Sequence, residues 1–424
     1  MSIGLVFRSL LALVFSAVIA LLTLQHASVP PPSALTAAID PPVLDPVVIG
    51  VQAPQSQARA TPVPGKTVPA TPTPPTLHPG AVIDLFPNVN GHIIYVGPDQ
   101  NLWFITGQHK MRNITGDGVD NAPALSPDGS QLAYVRFMGS YSDVMTSRLH
   151  YEADGAIRAD AAVYLTQDST PPPGLQSVPS PPGYDPRYYW YAVKPSWLPD
   201  GQHLLYLSDR PGYDPNNEVK TDLSVWEQGV TDTITNAVKL TTPTVGTGGG
   251  DSPGWRPNDP AVFIYTDYYQ DFSRPNGQGR IMTAMAVTGT APQADPIALT
   301  PDGVTEFQPV WSPDGHYIAF AENEAGGHTD LKVIAYHRPG YLGDYSNAVT
   351  IQPGNPYVVQ PFWSPDGHYL GYLASNGVSG DFEMYVRPVI YPKRRGDPLA
   401  LGPPTRLFQA GTVSADYRPT WGAR

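Results

Sequence analysis

The chain has no cysteine among its 424 residues. Disulfide bonds, thiol catalysis and cysteine-ligated metal sites are therefore excluded, while the redox compartment is left open. Charged residues are also scarce, at 15%, and the 37 acidic residues outnumber the 25 basic ones, which gives a formal charge of −12. Binding to nucleic acid depends on neutralising phosphates, so a chain with this charge and no basic stripe is not expected to bind it.

Proline and glycine, in contrast, are abundant, with 50 and 40 residues. They accompany a recurring unit: Pro-x-Trp, a turn of the Ser-Pro-Asp-Gly type, and an apolar run typical of a strand. The two clearest copies read PVWSPDGHYIAF from Pro309 and PFWSPDGHYLGYL from Pro361. Looser copies begin at Pro123, Pro195 and Pro253, and a sixth opening stands at Pro419.

The position of the tryptophan, or of the leucine that replaces it, marks each copy of the unit. These markers are Leu125, Trp197, Trp255, Trp311, Trp363 and Trp421. The distance between neighbouring markers accommodates four short strands with their loops, which is the size of a propeller blade. In the turn, proline presets φ for the first position and glycine takes the positive φ that returns the chain antiparallel.

These residues resemble the TolB-type, WD-like propeller repeat, over roughly residues 81–424. The resemblance implies an all-β, six-bladed β-propeller that acts in protein–protein interaction. TolB proteins carry an additional α/β domain before the propeller, whereas a proline-rich segment stands in its place here. The sixth marker predicts ring closure: the strand at 417–421 should be the innermost strand of the blade that begins at 91–115, which removes two exposed sheet edges.

The N-terminal segment predicts export. An apolar run over 9–24 follows the single cation Arg8, which is the layout of a signal peptide or an uncleaved membrane anchor, assigned to residues 1–28. Residues 29–80 are rich in proline and are interpreted as a disordered linker. We expect a monomeric protein outside the cytoplasm, either secreted or held at the membrane by this segment.

Strand direction predicts which face of the propeller binds a ligand. Loops that join the second strand of a blade to the third, and loops that join blades, must lie opposite the Pro-Asp-Gly turns. Aromatic and proline-rich insertions occur in these loops, as a recognition surface requires. The predicted ligand-binding residues among them are Tyr188, Tyr189, Trp190, Tyr213, Tyr268 and Tyr269. The alternative is that these rings only pack the long loops onto the propeller.

Carboxylates recur on the same side. Asp120, Glu306 and Asp416 precede their markers by five residues, and Asp251 precedes its marker by four. In a ring they would converge on an acidic opening of the channel, which would attract a basic peptide, another cationic ligand or a divalent cation. The alternative is that each carboxylate caps backbone amides where its strand begins. No other cofactor is expected.

No catalytic residue is assigned from the sequence. The run from Gly250 to Gly254 matches Gly-x-Ser-x-Gly, but a nucleophile elbow requires a strand-turn-helix context that the repeat does not provide. The sequence therefore favours a binding or scaffolding module of the cell envelope, with an envelope protein or peptide as its partner. The alternative is a propeller enzyme, a lyase or hydrolase, that acts on polysaccharide or peptide in the central channel.

Overall fold

The computed structural model describes residues 91–422 apart from seventeen gaps, of which the longest covers 23 residues. The gaps are 107–110, 139–140, 154–155, 167–189, 211–221, 244–246, 260, 270–277, 286–287, 291–294, 302–304, 325–326, 339–342, 352–356, 376–380, 395–396 and 408–410. The predicted signal or anchor and the predicted linker lie outside the described residues. Within the described ranges, no helix is long and apolar enough to cross a membrane.

The described strands form six antiparallel sheets, and each sheet is one blade of a propeller. With strands numbered in chain order and given from the channel outwards, blade 1 contains β26 (Thr420–Gly422), β1 (His92–Val96), β2 (Leu102–Thr106) and β3 (Met111–Asn113). Blade 2 contains β4 (Asp120–Leu125), β5 (Gln131–Phe137), β6 (Ser142–Tyr151) and β7 (Ile157–Ala159), with β8 (Val163–Tyr164) also paired to β6. Blade 3 contains β9 (Ala192–Trp197), β10 (His203–Ser208), β11 (Ser224–Gly229) and β12 (Val238–Lys239).

The second half of the chain repeats this arrangement. Blade 4 contains β13 (Gly250–Trp255), β14 (Val262–Tyr269), β15 (Gln278–Met285) and β16 (Ile297–Ala298). Blade 5 contains β17 (Thr305–Trp311), β18 (Tyr317–Glu324), β19 (His328–Ala335) and β20 (Val349–Thr350). Blade 6 contains β21 (Val358–Trp363), β22 (Tyr369–Ser375), β23 (Phe382–Ile390) and β24 (Ala400–Leu401), with β25 (Thr405–Arg406) also paired to β23. A 3₁₀ turn at Ile234–Asn236 and a single α-helical turn at Gly343–Ser346 lie between outer strands.

The predicted six-bladed architecture and its closure are confirmed. Strand β26 pairs antiparallel with β1, so the C-terminal strand is the innermost strand of blade 1. It is shorter than the predicted strand over 417–421 and begins at Thr420. Five of the six markers end an innermost strand, and the sixth, Trp421, lies in the middle of β26.

The Pro-Asp-Gly turns have the predicted backbone geometry. Their glycines, at positions 129, 201, 315 and 367, have φ values between 65° and 73°. In blade 5 the Ser312 hydroxyl donates to Asp314 and accepts the N–H of Tyr317 at 2.9 Å. In blade 4, where Asn258-Asp259 replaces Asp-Gly, the N–H of Asp259 lies 3.3 Å from the carbonyl of Arg256, against 2.8 Å for the corresponding bond of blade 5.

The core lies between neighbouring blades. Apolar side chains on facing sheets form clusters such as the one that joins Leu205 of blade 3 to Phe263 of blade 4, and both residues are fully buried. Two of the marker tryptophans add a polar link to the preceding blade: Trp197 Nε1 donates to the carbonyl of Ala124 at 2.9 Å, and Trp311 Nε1 to that of Gly254 at 3.2 Å. Each blade therefore depends on its neighbours for burial of its apolar surface, which is the main stabilising term in such a ring.

Five of the innermost strands carry the same irregularity. A β-bulge interrupts each ladder three residues before the marker, and a residue other than glycine there has φ between 46° and 57°. These residues are Ala122, Lys194, Ser252, Gln308 and Gln360. A left-handed conformation costs a side-chain-bearing residue roughly 1–2 kcal/mol. In blade 1 the residue three before the marker is Arg418.

Candidate functional site

The loops of the propeller separate onto two faces, as the strand directions predict. We call the side with the Pro-Asp-Gly turns the turn face, and there Tyr391, which follows β23, donates to the carbonyl of Gly367 at 2.8 Å. The opposite side, the connector face, carries the loops between blades and those between second and third strands. There Leu223 and Gly249 form a parallel bridge between one loop of each kind.

The aromatic residues of the predicted binding surface are only partly described. Tyr188, Tyr189 and Tyr213 lie outside the described residues. Trp190 is 9% exposed, and the guanidinium of Arg210 lies 5.3 Å from its ring centre, close enough for a cation–π contact. The burial of Trp190 against Arg210 agrees with the alternative that the aromatic rings pack the loops onto the propeller.

Tyr268 and Tyr269 end strand β14 on the connector face. The Tyr268 hydroxyl donates to Asp251 Oδ2 at 3.5 Å. Burial and the nearby Asp251 carboxylate hold the pKa of Tyr268 well above its usual value, so its hydroxyl remains a neutral donor. The Tyr269 ring lies 4.8 Å from the guanidinium of Arg280.

Asp120 is completely buried and is held within its own blade. Arg136, its partner across the β4–β5 ladder, donates Nε to Oδ1 at 2.8 Å and Nη2 to Oδ2 at 3.0 Å. Arg136 Nη2 also lies 3.3 Å from the exposed carboxylate of Asp117. Because both Asp120 oxygens bind one guanidinium, its charge is compensated locally and no backbone amide is needed to cap it.

Glu306 is also completely buried, between blades 4 and 5. Thr300 donates to its Oε2 at 3.1 Å, and its Oε1 has no hydrogen-bond partner among the described residues. Burial and the negative charge of Glu322 raise the pKa of Glu306 to about 8, so the carboxyl is protonated at neutral pH. Glu322 itself binds Lys332.

Asp251 and Asp416 have different surroundings again. Asp251, 4% exposed, accepts a hydrogen bond from Lys194 and thereby links blade 4 to blade 3. Asp416 is exposed and its nearest hydrogen-bond donor is the Ser414 hydroxyl at 3.4 Å.

The four predicted carboxylates thus lie in four separate sets of contacts. Over the described ranges, no group of three or more histidine, aspartate or glutamate side chains could hold a metal ion. Ligand binding by these residues stays a prediction.

A second set of residues, which the sequence reasoning missed, connects the blades around the channel. It consists of four of the six residues that lie three before the markers, together with Asp251, and we call it the channel network. The four residues are Lys194, Gln308, Gln360 and Arg418, and Asp251 is the partner of Lys194. Gln308 Oε1 accepts the backbone N–H of Gln360 at 2.8 Å, and Gln360 Nε2 donates to the carbonyl of Ala415 at 3.1 Å. The constant spacing from the marker is the sequence signal that could have identified the set.

Arg418 makes the longest link in this network. From blade 1 its Nη2 donates to the carbonyls of Gln308 at 2.8 Å and Pro309 at 3.1 Å in blade 5, so the side chain passes blade 6. Burial lowers the pKa of Arg418 to about 10, and the Asp251 carboxylate opposes this effect. The guanidinium therefore stays charged at neutral pH. The network contains two cations, Lys194 and Arg418, and one carboxylate.

Comparison with known proteins gives structural likeness alone. No family model and no curated protein matches the sequence. Solved structures similar to the chain include TolB from Acinetobacter baumannii, with 14% identity over 79% of this chain and 67% of that one, and a TM-score of 0.47. A protein assigned as TolB from Agrobacterium tumefaciens is 15% identical over 78% of this chain and 93% of that one, with a TM-score of 0.45.

Oligogalacturonate lyase from Vibrio parahaemolyticus is a further similar structure, at 12% identity over 74% of this chain and 78% of that one, with a TM-score of 0.40. The similar structures thus include a propeller named as an enzyme beside those named TolB. The assignment of this chain as a six-bladed propeller stands on its own strand pairing.

Proposed function

We propose that the protein is a binding or scaffolding module of the cell envelope, whose connector face and channel opening bind a protein or a peptide. The channel network is the observation that supports this proposal most directly. It links Lys194 of β9 to Asp251 of β13, and it links Arg418, two residues before β26, to Gln308 of β17. A closed ring holds such groups in fixed positions, which favours selective recognition because little ordering is required on binding.

The proposed location outside the cytoplasm is supported by the sequence of the N-terminus. Residues 1–28 have the layout of a signal or anchor, and the proline-rich segment over 29–80 would hold the propeller away from a membrane. The TolB-type repeat agrees with an envelope role and with a monomer that binds other proteins.

An enzyme is the second candidate, and one observation favours it. Glu306 and Glu322 lie opposite each other in the β17–β18 ladder, and burial raises the pKa of both carboxyls, as is common for acid–base pairs in active sites. However, Glu306 is 0% exposed and Glu322 is 2% exposed. Both oxygens of the Glu322 carboxylate are bound, one by Lys332 and the other by Tyr345, so we favour the binding function.

The two functions are tested with the full-length chain as bait in an envelope extract. Asp416→Lys reverses an exposed charge on the connector face, and Asp397→Lys makes the same change in the exposed β23–β24 loop on the turn face. We expect the first variant to lose the captured partner and the second to retain it. Equal capture by both variants would contradict the proposal. Turnover of a glycan or peptide library that depends on Asp120 or Asp416 would favour the enzyme.

A further inference from the structure

Two hydrogen-bond donors of the channel network have no acceptor among the described residues. Gln308 is 1% exposed, and its Nε2 has no partner. Arg418 Nε is inaccessible to solvent and has no partner either, although the residue as a whole is only half-buried. An unpaired buried donor costs roughly 1–3 kcal/mol, so an acceptor from outside the chain that reached either atom would recover this free energy.

The orientation of the Gln308 amide is fixed by its own contacts. Its Oε1 accepts the backbone N–H of Gln360 at 2.8 Å. Rotating the amide by half a turn would bring its NH₂ group against that N–H and lose the hydrogen bond, so Nε2 is the atom without a partner. Arg418 Nη2 binds the main-chain carbonyl of Gln308. The two unpaired donors therefore belong to two residues that are hydrogen-bonded to each other.

The charge of the surroundings indicates which acceptor would fit. Lys194 and Arg418 are cationic, and the single carboxylate of the network, Asp251, already accepts from Lys194. Arg418 contacts carbonyl oxygens but no carboxylate among its hydrogen bonds. Asp120 is neutralised by Arg136, and Glu306 is uncharged at neutral pH. The channel network thus carries a net positive charge and spare donors.

We propose that the central channel binds a carboxylate group, which accepts hydrogen bonds from Arg418 Nε and Gln308 Nε2 in the positive field of Lys194. A planar carboxylate suits this pair because its two oxygens can meet a guanidinium donor and an amide donor at once. The biological source of the carboxylate rests on the proposed function, since a bound peptide would supply it through its C-terminus or an acidic side chain. Binding of the anion itself is measured without any partner.

The test is thermal unfolding of the purified full-length chain while sodium acetate replaces sodium chloride at constant ionic strength. We expect about 100 mM acetate to raise the Tm of the wild type by about 2–4 °C. Gln308→Glu keeps the acceptor for Gln360 and places a carboxylate beside Arg418, so its Tm should not respond to acetate. Arg418→Met removes the cationic donor and should abolish the response as well. Arg112→Met, which removes an exposed arginine of β3, is the matched control and should respond like the wild type.

Each outcome decides the proposal. A wild type that acetate does not stabilise overturns it, and so does an equal response of wild type and Gln308→Glu. If Arg418→Met fails to fold, Gln308→Glu alone gives the answer. Short peptides with a free or an amidated C-terminus, and a blocked peptide with a central glutamate, then distinguish the two sources. If acetate does not raise the Tm but the chain still captures its partner, this site is contradicted. If acetate raises the Tm but the Asp416→Lys and Asp397→Lys variants capture the partner equally, the proposed function is contradicted.

Discussion

Ile93 of β1 lies directly opposite Trp421 of β26, although the two residues stand near opposite ends of the described chain. The pair joins the first and last described strands in one blade. Trp421 also contacts blade 6, where its ring lies 6.1 Å from that of Phe362 between ring centres. The same residue therefore closes blade 1 and covers the junction with the last blade.

Removing residues 416–424 is expected to cause a large loss of stability. Strand β1 would expose an unpaired edge to the channel, and the cluster that contains Ile93, Phe362 and Trp421 would lose its tryptophan. Loss of a large buried aromatic residue alone costs about 3–5 kcal/mol. Denaturation in urea measures the effect, and removal of residues 423–424, which follow β26, serves as the control. A shortened chain as stable as the full-length one would contradict closure by β26.

The fold was largely predictable because its determinants are local and repeat at a fixed offset. Four of the turns have their glycine and all six innermost strands have their marker, so the six copies give six blades. The side-chain contacts were not predictable, because they depend on the bulge in the innermost strands. Without the extra residue, Asp120 would lie opposite Phe137 and Glu306 opposite Asn323; with it, their partners are Arg136 and Glu322. The residues three before the markers differ in type, so no shared chemistry identified them.

Two neighbouring glycines of the connector face provide a matched test of the loop packing. Gly248 and Gly249 both have positive φ, at 89° and 80°, so alanine is strained at either position. A Cβ on Gly249 would lie 2.3 Å from the carbonyl oxygen of Leu223, whereas one on Gly248 would meet nothing within 4 Å. We expect Gly248→Ala to cost about 1 kcal/mol and Gly249→Ala at least about 3 kcal/mol in free energy of unfolding. Equal losses in urea denaturation would contradict the bridge between Leu223 and Gly249.

Asp120 and Asp416, predicted as equivalent, should respond differently to the same substitution. Asp120→Asn leaves the guanidinium of Arg136 without its buried counter-charge and should lower the free energy of unfolding by about 2–4 kcal/mol. Asp416 is exposed, so Asp416→Asn should change the free energy of unfolding by less than about 0.5 kcal/mol.

Calcium added to the same samples tests the predicted cation site. If the carboxylates bind a cation together, calcium should raise the Tm of the wild type, and the double variant with both asparagines should lose this shift. Separate roles predict a Tm that calcium leaves unchanged and a loss confined to Asp120→Asn. A similar loss in both single variants would contradict the contacts described for Asp120.

Glu306 should make stability depend on pH in the direction opposite to most carboxylates. Burial and Glu322 raise its pKa in the folded state to about 8, above the ordinary value of 4.5. Between these values the folded chain binds more protons than the unfolded chain, so stability is lost as the pH rises through this range. Glu306→Gln has no proton to lose. Its stability relative to the wild type should therefore grow by about 2–5 kcal/mol between about pH 5 and about pH 9.

Glu324, in the same cluster, provides a control of opposite sign. Its hydrogen bond from Lys332 lowers the pKa of its carboxyl, so it contributes stability above the ordinary pKa that is lost as the pH falls. Glu324→Gln should therefore be less stable than the wild type at neutral pH, and the difference should shrink in acid. Urea denaturation of the three proteins across this pH range measures both effects. If Glu306→Gln and the wild type had parallel pH profiles, the Glu306 carboxyl would be ionised in the folded protein and the buried junction of blades 4 and 5 would have to admit water or a cation.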